Sequence, residues 1–196
     1  MSSPSYELLW TIIGLILTIA GTFVEAFTTN FPWSWTEQGI KIHSLGVTYQ
    51  IGAVLLTACL GGKRAGALSQ LAYLTLGLVW LPVFSRGGGI SYLAEPTFGY
   101  LIGFIPGAWL CGILAFRRKK QLESLALSCL FGLLVIHTIG MVYLVGLHYF
   151  NLMVFDTLLP LGSTLAQYSW HPLPGQLVLV CAVTVLAYGL RNILFY

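Results

Sequence analysis

The chain has 196 residues, of which 57% are hydrophobic and only 8% are charged, and its formal net charge is +3. Its mean hydropathy is +0.85. So few charged residues cannot give a compact body an ordinary water-facing surface. The composition therefore excludes a soluble globular domain and predicts an integral membrane protein.

Six apolar segments follow one another along the chain. A helix needs roughly 17–25 apolar residues to cross a hydrocarbon core about 30 Å thick. The segments that meet this requirement are Leu8–Phe27, Ser44–Leu60, Ala65–Phe84, Thr97–Phe116, Leu125–Leu147 and Leu177–Phe195. Because they fill most of the sequence, we predict that residues 1–196 form a single all-α membrane domain with six transmembrane helices.

The first segment carries a stripe of small side chains. No Lys or Arg precedes this segment, and its apolar run is long for a signal peptide, so we expect it to remain in the mature protein. Gly14, Thr18 and Thr22 recur in it every four residues. Small residues at this spacing allow two helices to approach closely, so the stripe predicts a helix contact.

The distribution of Lys and Arg predicts the orientation, because positive loops are retained on the cytoplasmic side. One side of the predicted spans has seven of these residues: Lys63, Arg64, Arg117, Arg118, Lys119, Lys120 and Arg191. The other side has Lys41 and Arg86. We therefore predict a protein of the plasma or inner membrane with both termini in the cytoplasm. The charged run 117–120 is expected to contact lipid headgroups.

The loop between the third and fourth predicted spans has an unusual composition. It holds Ser85, Arg86, the glycines 87–89, Tyr92 and Glu95 between two apolar segments. Glycine weakens packing and Arg86 needs water or a polar partner, so the loop is costly unless it holds something polar. We predict a binding site here, on the outer side, with the glycine run as flexible backbone that approaches a ligand or closes over it.

Four motifs in this region occur in a fixed order: GALSQLAYLTLGL at 66–78, LPVF at 81–84, the glycine run, and PTFGYLIGF at 96–104. This string resembles the BioY family, the membrane-embedded biotin-binding S components of energy-coupling-factor vitamin importers. The resemblance implies an S-component-like helix bundle that captures biotin from the outer side and works with a coupling subunit and ATPases. It also implies that the first helix docks on that subunit; packing within the chain is the alternative use of the small-residue stripe.

Biotin presents a ureido ring with donors and an acceptor, an apolar sulfur ring and a carboxylated tail. A fitting pocket combines hydroxyl or amide groups, aromatic walls and a cation. The candidate ligand-binding residues are Trp80, Arg86, Gly87, Gly88, Gly89, Tyr92, Thr97, Tyr100, Gln50 and Gln176. The structural alternatives are an aromatic belt for the three aromatic residues, an interfacial anchor for Arg86, a helix N-cap for Thr97 and an interhelical bridge for Gln50.

The last predicted span departs from the family pattern. BioY proteins tend to carry Gly-Asp-x-x-Lys there, with both charges near the ligand carboxylate, whereas this chain has Gln176 and Leu179 at the two charged positions. Gln176 keeps a hydrogen-bonding group, but Leu179 cannot pair with a carboxylate. Either Arg86 binds the anion or the ligand is another small amphipathic molecule. A BioY-like scaffold or assembly protein that has lost its ligand is the second functional alternative.

The sequence has no constellation that indicates catalysis. His137 and His148 would lie about 16 Å apart along one helix and cannot share a metal ion, and no Walker A motif occurs. The four cysteines fall inside predicted spans without CxxC spacing, and we expect them to be small packing residues. We expect no enzyme activity, cofactor, bound metal or nucleic-acid partner.

Overall fold

The structure is a computed structural model that describes residues 4–30, 32–79, 81–117, 121–150 and 160–194, without the side chains of Glu37 and Gln38. Its α-helices are α1 (Pro4–Phe23), α2 (Trp35–Gln38), α3 (Gln50–Val79), α4 (Phe98–Arg117), α5 (Leu122–Tyr149), α6 (Leu161–Leu165) and α7 (Leu173–Leu194). Its strands are β1 (Glu25–Thr29) and β2 (Ile42–Thr48). Short 3-10 turns lie at Pro32–Ser34 and Ile90–Ala94, and a π-helical turn at Ala166–Trp170 follows α6.

Five helical segments in the described part of the chain are long and apolar enough to cross a membrane. They are α1, α3, α4, α5 and the stretch 161–194 that contains α6 and α7. The predicted number of six is not confirmed. The difference arises because the predicted spans Ser44–Leu60 and Ala65–Phe84 both fall largely within α3.

Helix α3 reverses its direction at Gly62. This residue has φ +80° and ψ −176°, which is not helical and which residues with a side chain rarely adopt. A Cβ on Gly66 would lie 3.1 Å from Ala58 Cα, so the segments on either side of the turn touch. Gln50 Nε2 lies 3.0 Å from the Tyr73 hydroxyl, although about 35 Å would separate them along a straight helix. Thus α3 is a helical hairpin with two antiparallel halves.

Two antiparallel strands lie where the sequence predicted parts of spans, so the all-α prediction is corrected. Strand β1 pairs with β2, and Phe27 lies opposite Ser44. Helix α1 therefore ends at Phe23, and the helical part of the second predicted span begins at Gln50, the first residue of α3. Short apolar strands and buried helical segments have similar hydropathy, which is why the pattern alone did not separate them.

The small-residue stripe of α1 faces α3 of the same chain. A Cβ added to Gly14 would lie 2.3 Å from Thr57 Cγ2, so only glycine fits at this contact. Gln70 Nε2 donates to the Thr18 hydroxyl at 3.0 Å, and the Thr22 hydroxyl is 3.1 Å from that of Tyr73 on α3. The stripe therefore serves packing within the chain, and the exposed residues of α1 lie on its other faces.

Helices α4 and α5 pack closely along their length. A Cβ on Gly103 would lie 2.9 Å from the Ile136 carbonyl oxygen, and one on Gly107 would lie 2.9 Å from the Gly132 carbonyl oxygen. This backbone contact fixes α4 against α5. At the end of the bundle that lies away from the Gly62 turn, the first residues of α3, α4 and α7 diverge around a cavity.

Candidate ligand-binding site

The cavity has a volume of about 210 Å³ and lies between β2, the loop after α3, the π-helical turn and the starts of α3, α4 and α7. Its polar lining side chains include Gln50, Ser85, Tyr92, Thr97, Tyr100, Tyr168 and Gln176. Aliphatic and aromatic walls complete it. None of the described side chains that line it is charged. The arrangement suits a small ligand with several hydrogen-bonding atoms and an apolar body.

Five of the ten predicted site residues meet at this cavity: Gln50, Tyr92, Thr97, Tyr100 and Gln176. Arg86 and the glycine run 87–89 belong to the neighbouring loop and do not line the cavity. Trp80 lies outside the described residues. The sequence therefore predicted half of its candidate residues at the cavity, whereas Arg86, the predicted cation, lies beside it.

Tyr92 anchors the loop to the start of α4. Its hydroxyl is 3.1 Å from the Ser85 hydroxyl and 3.1 Å from the Thr97 hydroxyl. The ring is 3% exposed and packs against Phe84 at a centroid distance of 4.6 Å. The Thr97 side chain is thus engaged with Tyr92, while the Thr97 carbonyl oxygen accepts from the Tyr100 amide in the first turn of α4. The three hydroxyls form a fixed polar edge of the cavity.

Gln50 links the two halves of α3 and also lines the cavity. Its Nε2 donates to the Tyr73 hydroxyl at 3.0 Å, and Tyr73 donates in turn to the Val83 carbonyl oxygen at 3.0 Å. The interhelical bridge that was the structural alternative for Gln50 is therefore present. Because this bond fixes the amide, Gln50 presents a preset hydrogen-bonding group to the cavity.

Gln176 is held in place by His137 of α5. His137 Nε2 lies 2.6 Å from Gln176 Oε1, and both side chains are buried. An amide oxygen can only accept, so we assign the proton of a neutral imidazole to Nε2. This assignment leaves the two N–H groups of the Gln176 amide as donors. Tyr100 packs edge-on against His137 at 5.6 Å and bonds to the Ser169 hydroxyl.

Arg86 lies beside the cavity and is already paired. Its Nη1 donates to Glu95 Oε2 at 3.1 Å, and its side chain is 52% exposed. Partial burial disfavours the charged guanidinium, but Tyr168 and Glu95 outweigh this effect and raise the pKa of Arg86. Tyr168, which contributes to the raised pKa of Arg86, also lines the cavity. A ligand anion at this edge would therefore compete with Glu95 for the guanidinium.

The glycine run 87–89 packs on the end of α3. The Gly89 amide donates to the Gly77 carbonyl oxygen at 2.7 Å. A Cβ on Gly88 would lie 2.7 Å from the carbonyl oxygens of both Gly77 and Leu81. Gly87 has φ +115° and Gly89 has φ +91°, so these two positions also need glycine for backbone conformation. The glycines allow close contact between loop and helix backbone.

Sequence reasoning did not find the roles of His137 and Tyr168. His137 lies twelve residues after the start of the predicted span Leu125–Leu147, where the sequence pattern indicates no partner for it. Tyr168 belongs to the long segment before the last span, which the sequence treated as a loop and which contains α6 and the π-helical turn. The usable signal was the polar residue pattern at 168–176, where Tyr168, Ser169 and Gln176 interrupt an apolar stretch.

Comparison with known proteins shows which family shares these features. The BioY family profile matches residues 3–195. The chain is 35% identical over 135 residues to the biotin transporter BioY of Thermotoga maritima, a match that covers 68% of this chain and 76% of the relative. It is 28% identical over 193 residues, or 98% of both chains, to an uncharacterized 21.2 kDa protein of Cyanophora paradoxa.

The fold also matches a solved structure. The crystal structure of the S-component for biotin from an ECF-type ABC transporter superposes with a TM-score of 0.70, at 19% identity, and the match covers 98% of this chain and 95% of that one. At this identity the match establishes a shared fold. The relatives of known activity are transporters, in agreement with the expected absence of an enzyme. With a family profile that matches almost the whole length and a common fold, the chain belongs to the BioY family.

Proposed function

We propose that this protein captures biotin at the outer face of the membrane and works as the substrate-binding component of a transporter. The observation that carries the proposal is the cavity of about 210 Å³, where hydroxyl and amide groups from five separate parts of a BioY-family chain meet. The protein captures its ligand without changing it chemically. Residues 1–196 act as one membrane domain.

The ureido ring of biotin fits the neutral polar lining. Its carbonyl oxygen needs donors, and the Gln176 amide offers them because His137 occupies the amide oxygen. Its N–H groups need acceptors, which the hydroxyls of Thr97 and Tyr92 supply from the start of α4 and the turn before it. The apolar sulfur ring then packs against side chains such as Ile51 and Phe104. We assign ligand contacts to Gln50, Tyr92, Thr97, Tyr100 and Gln176.

The carboxylated tail is proposed to leave the cavity past Tyr168 towards Arg86. Leu179 is 3% exposed and apolar, so the last helix supplies no cation at the position where the family pattern has lysine. Arg86 interacts electrostatically with Tyr168 and its side chain is half exposed, so a carboxylate can reach it without entering the neutral cavity. The glycines 87–89 contribute indirectly, because their contacts with α3 hold Arg86 in position. Trp80 remains a candidate for an aromatic wall.

The membrane arrangement is also part of the proposal. We propose that the two halves of α3, residues 50–61 and 63–79, act as separate membrane segments, which gives six in all. The Arg86 loop faces outward and both termini lie in the cytoplasm. Glu7, Lys63, Arg64 and Arg117 line one cavity at the far end of the bundle, which supports a common cytoplasmic side for them. Uptake is driven by a separate coupling subunit and ATPases, because the sequence has no Walker A motif.

Equilibrium binding of radiolabelled biotin to the detergent-purified full chain tests the proposed ligand. Unlabelled biotin should displace the label, whereas an open-chain analogue that lacks the ureido ring should compete at least about tenfold more weakly, since it loses the hydrogen bonds of that ring. Displacement of the label by both compounds at equal concentrations would show that the cavity does not bind the ureido group specifically.

A second candidate function is capture of another small amphipathic molecule without a carboxylate. The observation that favours it is the absence of a charged side chain among the described residues that line the cavity. Biotin methyl ester distinguishes the two ligand classes, because it keeps the ring and loses the charge. Stronger binding of the ester than of biotin would favour the uncharged class. Failure to bind either compound would favour the scaffold or assembly role.

A further inference from the structure

Three of the four cysteines meet inside the helix bundle. Cys59 of α3, Cys111 of α4 and Cys129 of α5 are each 0% exposed. Cys59 Sγ lies 3.7 Å from Cys111 Sγ and 3.5 Å from Cys129 Sγ, and all three sulfurs lie within 4.8 Å of one another. We call them the three-thiol cluster. The sequence predicted that they are packing residues, and it placed them in three different spans with no common motif.

Packing explains why each cysteine is buried, since a free cysteine behaves as a small apolar side chain. It does not require three sulfurs on three helices to point at one another. The helix contacts hold them there, because a Cβ on Gly132 would lie 2.9 Å from Cys111 Cβ and 2.9 Å from Leu55 Cδ2. The cluster is thus rigidly supported at the contact of α3, α4 and α5.

We propose that the three-thiol cluster is a binding site for a trivalent thiophilic metalloid, of which arsenite is the simplest representative. With a bond of about 2.3 Å from each sulfur to a central atom, as in zinc thiolates, three sulfurs around that atom lie about 4 Å apart. The observed separations of 3.5 and 3.7 Å are within a few tenths of an ångström of that value. Small side-chain rotations would therefore complete the site.

The charge of the complex selects the class of ligand. Three thiolates around a monovalent or divalent ion would leave a net negative charge in the apolar interior, which is strongly unfavourable. A trivalent centre with three thiolates is neutral. The neutral hydroxide As(OH)₃ reacts with three thiols so that three As–O bonds are replaced by three As–S bonds and three waters leave. Each thiol proton joins a departing hydroxide, and no atom is oxidised or reduced.

A cavity lies close to the cluster at the charged end of the bundle. Gly61 and Gly112 follow Cys59 and Cys111 closely in sequence, and both line a cavity of about 550 Å³ that also contains Lys63 and Arg64. The helices are closely packed here, since a Cβ on Gly112 would lie 2.6 Å from Lys63 Cα and one on Gly61 would lie 2.7 Å from Trp10 Cβ. A small neutral hydroxide therefore reaches the cluster from this cavity when α3 and α4 separate locally. The site lies away from the proposed biotin cavity, so this inference does not depend on the proposed function.

Incubation of the purified, reduced full chain with sodium arsenite, followed by desalting, tests the site. We expect one arsenic atom per chain, and X-ray absorption at the arsenic edge should show three sulfur neighbours. Phenylarsine oxide, whose arsenic needs only two thiols, should also bind. Two or fewer sulfur neighbours, or no retained arsenic, would overturn the proposal.

Single alanine variants locate the site. Cys59→Ala, Cys111→Ala and Cys129→Ala should each weaken arsenite binding by about 100-fold or more, because the third bond forms intramolecularly at high effective concentration. Phenylarsine oxide should still bind to them, and a melting temperature near that of the wild type would show that they are folded. The exposed Cys181 provides the matched control, and Cys181→Ala should change the affinity for neither arsenite nor phenylarsine oxide. Arsenite binding that survives all three cluster substitutions, or that is lost in Cys181→Ala, contradicts the site. If the cluster variants do not fold, the number of sulfur neighbours around arsenic in the wild-type complex tests the proposal: three support it, and two or fewer contradict it.

Discussion

Gln176 stands where the family pattern has an acid, and the structure gives it a partner that the pattern does not predict. His137 holds its amide oxygen at 2.6 Å, so the amide nitrogen is directed to other acceptors. The sequence could identify Gln176 as a hydrogen-bonding residue at the start of the last helix. It could not pair it with His137, because 39 residues separate them and only the packing of α5 against α7 brings them together.

The first prediction concerns this amide. Gln176→Leu should weaken biotin binding by about 10- to 100-fold, because it removes the donor and leaves the buried His137 N–H without its acceptor. The measurement is equilibrium binding of labelled biotin. Gln121→Leu is the matched control, since Gln121 is exposed and lies just before α5, and it should bind biotin as the wild type does. Unchanged affinity in Gln176→Leu would exclude the amide from the site.

Arg86 gives the second prediction. Because the Arg86 side chain is half exposed, water screens its pair with the more buried Glu95, and a ligand carboxylate can compete with Glu95 for the guanidinium. Arg86→Ala should weaken biotin binding by about tenfold or less and leave binding of biotin amide, which has no negative charge, nearly unchanged. Glu95→Gln should strengthen biotin binding, since it removes the competing carboxylate. Equal losses for biotin and its amide would mean that Arg86 only supports the loop.

At the scale of the elements, the long apolar helices were the predictable part. The predicted spans within α4 and α5 agree with the helices to within a few residues at most ends, because apolar runs of this length leave few alternatives. The reversal at Gly62 also fell between two predicted spans. The β-hairpin and the π-helical turn were missed, since short apolar segments do not reveal their partners. The packing of the glycine run on α3 was also missed, because glycine composition does not tell a mobile loop from a closely packed one.

The third prediction tests the packing of the glycine run. Gly88→Ala should lower the melting temperature of the detergent-solubilised protein by several degrees, because its Cβ would lie 2.7 Å from two carbonyl oxygens of the chain segment 77–81. Gly146→Ala on α5 is the matched control, since nothing lies within 4 Å of a Cβ there. That control should be neutral or slightly stabilising. Equal melting temperatures for the two variants would argue that the run is loosely held after all.

At the scale of the whole molecule, charge and fold together suggest how the protein sits in the membrane. The Glu7–Arg64 pair at 3.5 Å joins the start of α1 to the turn of the α3 hairpin. Arg191 donates to the Ala115 carbonyl oxygen at 2.8 Å and so joins the ends of α7 and α4. Four of the basic residues that the sequence assigned to one side therefore lie at one end of the bundle, opposite the cavity: Lys63, Arg64, Arg117 and Arg191. Orientation itself follows from the distribution of charge and remains a prediction.

The fourth prediction is this orientation. A cysteine introduced at Ser91, in the loop beside the cavity, should react with a membrane-impermeant maleimide in intact cells. A cysteine at Gln121, at the other end of the bundle, should react only after the cells are opened. Both positions are exposed, so accessibility in the protein does not limit the reaction. The wild-type chain, with its own four cysteines, provides the background signal. A reversed labelling pattern would place the cavity on the cytoplasmic side.

The central claim is that biotin occupies the cavity between β2 and the starts of α3, α4 and α7. Ile51→Trp places a large side chain in a space of about 210 Å³, whereas Ile193→Trp places it at an exposed position near the end of α7. Labelled-biotin binding to the wild type and both variants, each with an unchanged melting temperature, is the direct test. We predict that Ile51→Trp lowers the affinity for biotin by about 100-fold or more and that Ile193→Trp binds biotin as the wild type does. Normal binding by the folded Ile51→Trp protein would contradict the account.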